Sequence, residues 1–470
     1  MPTPKETVTW KVRSGSDRRF NAGHPWLYSN ELETSPKGIL PGTPIRLIDA
    51  QDRFLAWGYG NPHSLISFRA VSRDEGEEDA CGFAGVRRRL ETAARLRAEV
   101  GLSSVSFRWI FGESDFLPGL IIDRYRMSDN WGTEASQVIV IQAQTAGAQK
   151  WISELPELIL DVVKGNPAIF ENTPASQTAI LIRNDVGVRK LEGLEEEKPQ
   201  LVRPVFMSEA MLKKSRIRIL SQSGRIGEFI EMNCDLWEGQ KTGFFLDQSG
   251  NIGRLIQFLQ SKVRAKERQT TALGKKERTR IKILDLCTYV GQWSTQVAQA
   301  MTVEQADVEV TLVDSSQAAL DLAETNVRKW TPHVKKLKAD VVHDLGSVPV
   351  LPGGSGPFGP YDLVISDPPA LIKGRKDMPQ GTHAYLQLHT QVMRLAGEGA
   401  MVACCSCSAL LDEEDFLATL AKAARRNKKS VRWLDRGGHS VDHPVLAEFP
   451  EGRYLKAWFG VVHSIGGTRG

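Results

Sequence analysis

The chain has 470 residues, 41% hydrophobic and 25% charged, with a formal net charge of +4. Such a length predicts roughly two to four domains, and the composition is that of a folded globular protein, which excludes wholesale disorder. No uncharged apolar run approaches the roughly 20 residues that span a bilayer and no apolar secretory segment follows the first residues, so the sequence predicts a cytoplasmic protein without a membrane partner. Six cysteines are too few for a disulfide framework and are expected as thiols.

The charge is unevenly spread. Ser261–Lys282 is strongly basic, and Arg87–Arg89 with Arg95 and Arg97, and Lys422–Lys429, add two further basic patches. Any one patch reads equally well as a solvated helix face or a floppy insertion; several together favour RNA as a partner.

In chain order, "TPIRLID", "RFLAWGYGN" and "SLISFRAV" are short β-like runs divided by turn signals, which predicts a small β-rich domain over 1–75. After a charged linker, apolar Val86, Leu90, Ala93, Ala94 and Leu96 recur at helical spacing and predict a helix over Gly85–Val100. "GESDFLPGLIIDRY", "SQVIVIQAQ" and "AIFEN" then read as strands, with an apolar helix around Trp151–Leu160, giving a central α+β domain over 81–203. From 204 to 470 strands alternate with helices: "IKILDLC", "VEVTLVDSS", "YDLVISDPP" and "GAMVACCSCS" are each followed by a helical pattern. Such continuous apolar strands belong to a parallel sheet buried on both faces, so the C-terminal part is predicted to be a doubly wound, Rossmann-like α/β domain. Its ligands are expected at the carboxyl ends of the strands. The loop Pro352–Pro360 is expected to be an exposed connection.

Those strand ends hold the candidate binding residues. "ILDLCTYVGQWS" places Asp285 and Gly291 on the first turn, where a glycine lets a ligand approach the backbone. The G-x-G-x-x-G of dinucleotide binding is absent, which favours a ligand without phosphates. Asp314 in "LVDSS" stands where a carboxylate accepts from a ribose diol, provided that Ser315 takes over the capping of the next helix. Asp340 in "LKADVV" is either an acceptor for an adenine amino group or a surface turn. In "SDPPALIKGRK", Asp367 precedes Pro368 and Pro369, whose fixed φ makes a rigid rim holding a carboxylate beside the pocket.

Taken with "GHPWLYSNE", "GYGNPHSLISFR", "RNDVGVRKLEGL", "EGQKTGFFLDQSGNIGRL", "CSCS" and "DHPVLAEFPEGRYLK" in that order, these motifs resemble the PUA-domain-containing class I S-adenosylmethionine-dependent methyltransferases that form 5-methylcytosine in 23S ribosomal RNA. The resemblance covers nearly the whole chain. It implies a PUA-like RNA-binding domain over 1–75, a methyltransferase domain over 204–470, S-adenosyl-L-methionine held by Asp285, Tyr289, Gly291, Asp314, Asp340, Asp367 and Pro368, and large-subunit ribosomal RNA as partner. Cys287, Val290, Gln292 and Phe116 depart from the family's usual residues. The oligomeric state is left open, a homodimer included.

Cys404, Cys405 and Cys407 lie within four positions. The first two extend the apolar run "AMVACC" and read as strand filling. A zinc site with His439 and His443 lacks a second cysteine pair, so no metal is expected. Cys407 lies past the run, between two serines, and matches the family's nucleophile. Addition of a thiolate to C6 of cytosine makes C5 nucleophilic enough to take a methyl group, which is covalent catalysis. With a free thiol pKa of about 8.5 the group needs basic neighbours. Lys373 and Arg375 are the candidates for that role and for substrate contact. The acidic first turn of the helix near Asp412 offsets that helix's dipole. The resemblance gives Asp367 the second catalytic role, holding the cytosine at N3 and N4. Two rivals stay open: a methyltransferase acting on guanine or an exocyclic amine, which needs no thiol, and a non-catalytic RNA-binding factor.

Overall fold

The computed structural model describes residues 8–128, 136–171, 173–205, 207–223, 228–273, 278–341 and 361–465. The predicted loop at Pro352–Pro360 lies outside them. The chain forms two compact units.

Unit one comprises Met1–Ile219, Cys234–Leu246 and Val441–Gly452. Its first sheet contains β1 (Val8–Lys11), β2 (Trp26–Leu27), β3 (Thr43–Ile48), β4 (Phe54–Gly60) and β5 (Phe68–Ser72), in the order β1-β3-β4-β5-β2. β1 runs parallel to β3 and the other pairs are antiparallel. Trp10, Phe20, Leu27, Ile45, Leu47 and Phe68 form its core.

Helix α1 (Phe83–Glu99) follows. Val86, Leu90, Ala93 and Ala94 face inward as their spacing predicts, but Leu96 is exposed and Arg97 is buried in its place. The second sheet joins β6 (Phe107–Phe111), β7 (Leu120–Met127), β8 (Gln137–Ala143), β9 (Thr178–Ile182), β10 (Gln200–Arg203) and β11 (Ser215–Leu220). β10-β9-β8-β7-β11 are neighbours in that order, with β6 beside β7. β8 and β9 are parallel and are connected through α2 (Leu155–Gly165). "AIFEN" is not a strand: its described residues form turns after α2 and precede β9. β12 (Phe229–Cys234) is next in the chain.

Unit two comprises Leu220–Asn233, Asp247–Ser440 and Arg453–Gly470. Its strands are β13 (Arg280–Leu286), β14 (Asp307–Asp314), β15 (His333–Lys338), β16 (Tyr361–Ser366), β17 (Ala396–Ser406), β18 (Lys429–Gly437) and β19 (Lys456–Ser464). Their order is β15-β14-β13-β16-β17-β19-β18. The first five are parallel, and β19 returns antiparallel between β17 and β18. Apolar side chains of α3 (Ser249–Ala272), α4 (Gln292–Val303) and α5 (Gln317–Val327) pack on one face, and those of α6 (Met378–Leu395) and α7 (Glu413–Arg426) on the other. This is the doubly wound, Rossmann-like arrangement of class I methyltransferases, and it leaves the carboxyl ends of β13, β14, β15, β16 and β17 along one edge.

The basic segment from Ser261 is no floppy insertion as far as Ala272, for α3 continues through it, burying Val263 and pairing Arg264 with Glu304. Three cations of the predicted basic patches are structural. Arg89 pairs with Glu77, Arg97 makes a two-pronged bond to Asp115, and the Lys429 ammonium donates to the carbonyls of Met393 and Ala396 at 2.7 Å each. Those carbonyls lie at and just past the C-terminus of α6, where a cation completes unsatisfied acceptors.

Candidate active site

The site is built where β13 ends. Leu286 pairs with Val313 and with Ser366, and Ser366 with Cys404, so four strand ends fall in step. The turn after β13 is unusual: Cys287, Tyr289 and Gly291 have φ of 60°, 49° and 76°. Two of the three are side-chain-bearing residues in the left-handed region, the kind of strain that surrounding structure maintains at binding sites. What holds it is visible. Thr288 N–H donates to the Val313 carbonyl at 3.0 Å, and Tyr289 N–H donates to Asp314 Oδ2 at 2.9 Å. Gly291 also serves packing, since a Cβ there would stand 3.0 Å from that of Ala323 on α5.

Asp285 is fully buried under this turn. Its Oδ2 accepts from Thr288 Oγ1 at 2.9 Å and Ser294 Oγ at 2.5 Å, whereas Oδ1 has no partner among the described residues. Burial pushes its pKa up to about 6 despite those bonds. An unpartnered buried acceptor is costly, and a ligand carrying N–H or O–H groups would satisfy it. Asp314 also accepts from Ser316 N–H at 2.9 Å. Ser316, not Ser315, caps α5, accepting from Ala319 N–H at 3.2 Å. The cap residue stands one position later than predicted, and Asp314 is free of that duty as expected. Asp340 follows β15, and the charges of Asp285, Asp314, Asp340 and Asp367 all act on the Cys287 thiol, whose pKa is raised first by burial and then by these carboxylates. The structure thus brings the four predicted carboxylates around one turn. This cradle suits the hydroxyl and amino donors of a nucleoside. No group of three or more His, Cys, Asp or Glu side chains is placed to hold a metal among the described residues.

Asp367 turns from β16 toward the same place. Its Oδ1 accepts from Gln248 Nε2 at 2.8 Å and its Oδ2 from the indole N–H of Trp293 at 3.1 Å. Gln248 is in turn oriented by Asn251, whose amide donates to Gln248 Oε1 at 2.6 Å. The carboxylate is therefore fixed by donors from the start of α3 and the first turn of α4.

Cys407 lies one residue beyond β17, partly exposed, and its thiol approaches the Pro368 carbonyl at 3.7 Å. The cysteine and the Asp-Pro-Pro loop are thus in contact. Ser408 Oγ ties them together, accepting from Ile372 N–H at 3.1 Å and meeting the Tyr385 hydroxyl at 3.0 Å. Cys404 and Cys405 are buried on opposite faces of the sheet, in the α6/α7 and α3/α4 cores respectively. Lys373 and Arg375 stand exposed on the loop. A further cation, Lys456, at the start of β19 opposite Ser406, feels the charge of Cys407.

Gln248, Trp293 and Lys456 were not singled out from the sequence. Gln248 and Lys456 do lie in the quoted runs "FLDQSGN" and "GRYLK", but only the sheet order reveals that β19 returns beside β17 and carries Lys456 to the site.

Fold and strand-end geometry together define a class I methyltransferase architecture preceded by a PUA-like domain. The profile of a PUA-like domain matches residues 11–73. Similar proteins include the ribosomal RNA large subunit methyltransferase I of Erwinia tasmaniensis, 28% identical over 456 residues, with 96% of this chain and 98% of the relative covered. The protein of the same name in Escherichia coli is 26% identical over 459 residues, covering 96% and 98%. Among solved structures, a methyltransferase bound to SAH matches with a TM-score of 0.67 at 15% identity, covering 97% of this chain and all of the other. A protein from Streptococcus mutans described as SAM-dependent matches at 0.65 and 16%. No helix among the described residues is long and apolar enough to cross a membrane.

Proposed function

We propose that this chain is a cytoplasmic S-adenosylmethionine-dependent methyltransferase that forms 5-methylcytosine in large-subunit ribosomal RNA. Residues 1–75 and 81–203 then serve as RNA-binding and central modules and 204–470 as the catalytic module, although 204–219, Cys234–Leu246 and Val441–Gly452 fold with unit one. The names of the relatives and the PUA-like profile support RNA as substrate. The observation that carries the chemistry is Cys407 at the end of β17, with its sulfur on the carbonyl of Pro368 next to the fixed carboxylate of Asp367.

In this reading Asp314 accepts from the ribose hydroxyls of the cofactor, Asp340 from its adenine amino group, and Asp285 through its open oxygen from a further donor. Tyr289, Gly291 and Pro368 shape the walls, and Lys373 and Arg375 meet the RNA backbone. The cofactor supplies an electrophilic methyl group. The target base leaves its stack, because C6 is inaccessible inside a helix. Asp367 holds its N3 and N4 edge, accepting from the N4 amino group and sharing a proton with N3, so that the base is held in a protonated, activated form. The Cys407 thiolate would add to C6, making the electron pair of the C5–C6 double bond available at C5, and C5 would take the methyl group as that group's bond to the cofactor's sulfonium sulfur breaks and the cofactor leaves as the thioether. A base then removes the C5 proton, the double bond re-forms, and the carbon–sulfur bond breaks to return the thiolate.

RNA containing 5-fluorocytosine tests this, since fluorine at C5 cannot leave as a proton and the carbon–sulfur bond persists. With S-adenosylmethionine present, a denaturant-resistant protein–RNA adduct is expected, and Cys407→Ala abolishes it. Methyl transfer to RNA without an adduct points instead to guanine or amine methylation, and no binding of S-adenosylmethionine points to a non-catalytic factor.

A further inference from the structure

The Asp-Pro-Pro side of the site is electrostatically unfavourable to a thiolate. Asp367 is adjacent, its charge reaching as far as Cys405, and α7 begins with Asp412, Glu413, Glu414 and Asp415, of which Asp412 uses its side chain to cap the helix at 2.7 Å. A helix N-terminus would ordinarily favour an anion, but four carboxylates in and before its first turn offset that. Tyr385 and Cys405, two titratable groups that face Cys407, are kept protonated by burial, Tyr385 with its pKa raised to about 12. A thiolate at Cys407 therefore needs a fixed positive charge close by.

Lys456 meets that need. Its backbone is registered against Ser406, the residue before Cys407. Its ammonium donates to the carbonyl of Ser408, the residue after Cys407, at 2.9 Å, and to that of Tyr454 at 3.1 Å. Lys456 is 7% exposed, so water screens its charge little. Three N–H donors are available on an ammonium and two are engaged by carbonyls. Burial lowers its pKa, and the charge on Cys407 is the largest influence that raises it again, followed by Glu413 and Asp412.

We infer that Lys456 is the positioning residue that holds Cys407 as a reactive thiolate, clamped between the carbonyls of Ser408 and Tyr454 at the start of β19. The inference rests on the reading of Cys407 as nucleophile, but it is tested through the thiol itself.

The measurement is the pH dependence of iodoacetamide alkylation in the full chain, resolved by mass spectrometry at each cysteine. In Lys456→Met the alkylation of Cys407 at pH 7 is expected to slow about tenfold and its midpoint to rise by about one pH unit, the equivalent of one unit in thiol pKa. Lys456→Arg, which keeps the charge, restores most of the rate. Cys287 reports any general change in the site, and protected Cys404 and Cys405 report that the fold is intact. Lys456→Gln, which keeps a hydrogen-bond donor on the side chain but carries no charge, is the second variant and is expected to show the same rise. An unchanged Cys407 profile in either folded, uncharged variant overturns the inference. Loss of the fluorocytosine adduct with a normal alkylation profile would instead overturn the nucleophile assignment, so the two failures are distinct.

Discussion

Asp285 shows how a single residue records a conflict between folding and binding. It is buried with one oxygen bonded twice and the other open, and its pKa is raised to about 6. In the unfolded chain an aspartate titrates near 3.9. Because the folded pKa is the higher one, the folded state binds the extra proton between about pH 4 and 6, and stability falls as pH rises through that window. At neutral pH the ionised carboxylate therefore destabilises unit two. Asp285→Asn places an amide nitrogen at the open position while its oxygen keeps the bonds from Thr288 and Ser294. Thermal unfolding of this variant at pH 7 is expected to show a gain of about 1–3 kcal/mol over wild type, vanishing near pH 4. If the open oxygen accepts from the cofactor, the same variant loses the stabilisation that S-adenosylhomocysteine gives the wild type. A variant less stable than wild type at pH 7 would contradict this account.

The elements were legible where one period dominates. The strands of unit two are continuous apolar runs, and their alternation with helical patterns predicts the doubly wound sheet. The placement of Asp285, Asp314, Asp340 and Asp367 at or just past strand ends was legible because the alternation of strands and helices fixes where those ends fall. "AIFEN" was misleading because a short apolar run before a turn has no period to distinguish it from a strand. Arg97, Lys429 and Lys456 were opaque for another reason: their partners are backbone carbonyls or distant carboxylates that only the folded chain supplies. Gly291 is the instructive case, because the sequence predicts a turn there and the turn exists, yet the absence of a Cβ also serves α5. With φ at 76° and Ala323 at 3.0 Å, Gly291→Ala both strains the backbone by roughly 1–2 kcal/mol and pushes α4 and α5 apart. Urea denaturation is expected to show a loss of about 2–4 kcal/mol in all. A loss below 1 kcal/mol would mean that the two helices separate easily.

At the scale of the molecule, a polar network ties the two sheets of unit one together. Arg69 on β5 of the first sheet donates at 2.9 Å to Glu113, which follows β6 of the second, and at 2.9 Å to Glu192, on the turn after β9. The guanidinium also lies 4.9 Å from the ring centre of Trp26, whose N–H donates to Glu113 at 2.8 Å. Glu192 further accepts from Ser64 at 2.7 Å and from Asn61 at 2.9 Å, both on the turn that leads into β5. An apolar contact would tolerate sliding between the sheets, whereas these bonds specify direction and fix one register. With Arg69 at 9% exposed and Glu192 at 3%, removal of Arg69 strands Glu192 as a buried charge, which typically costs about 3–5 kcal/mol, whereas without Glu192 the guanidinium keeps its pairing with Glu113. Arg69→Met is therefore expected to lower the stability of unit one by about that much, and Glu192→Ala by less. The double variant leaves no stranded charge at this pair. Its loss should fall short of the sum by about 1–3 kcal/mol. Urea unfolding followed by tryptophan fluorescence, with Trp26 inside the network, measures all three. Additive losses would mean that Arg69 and Glu192 act independently and that the register of the PUA-like sheet is set elsewhere.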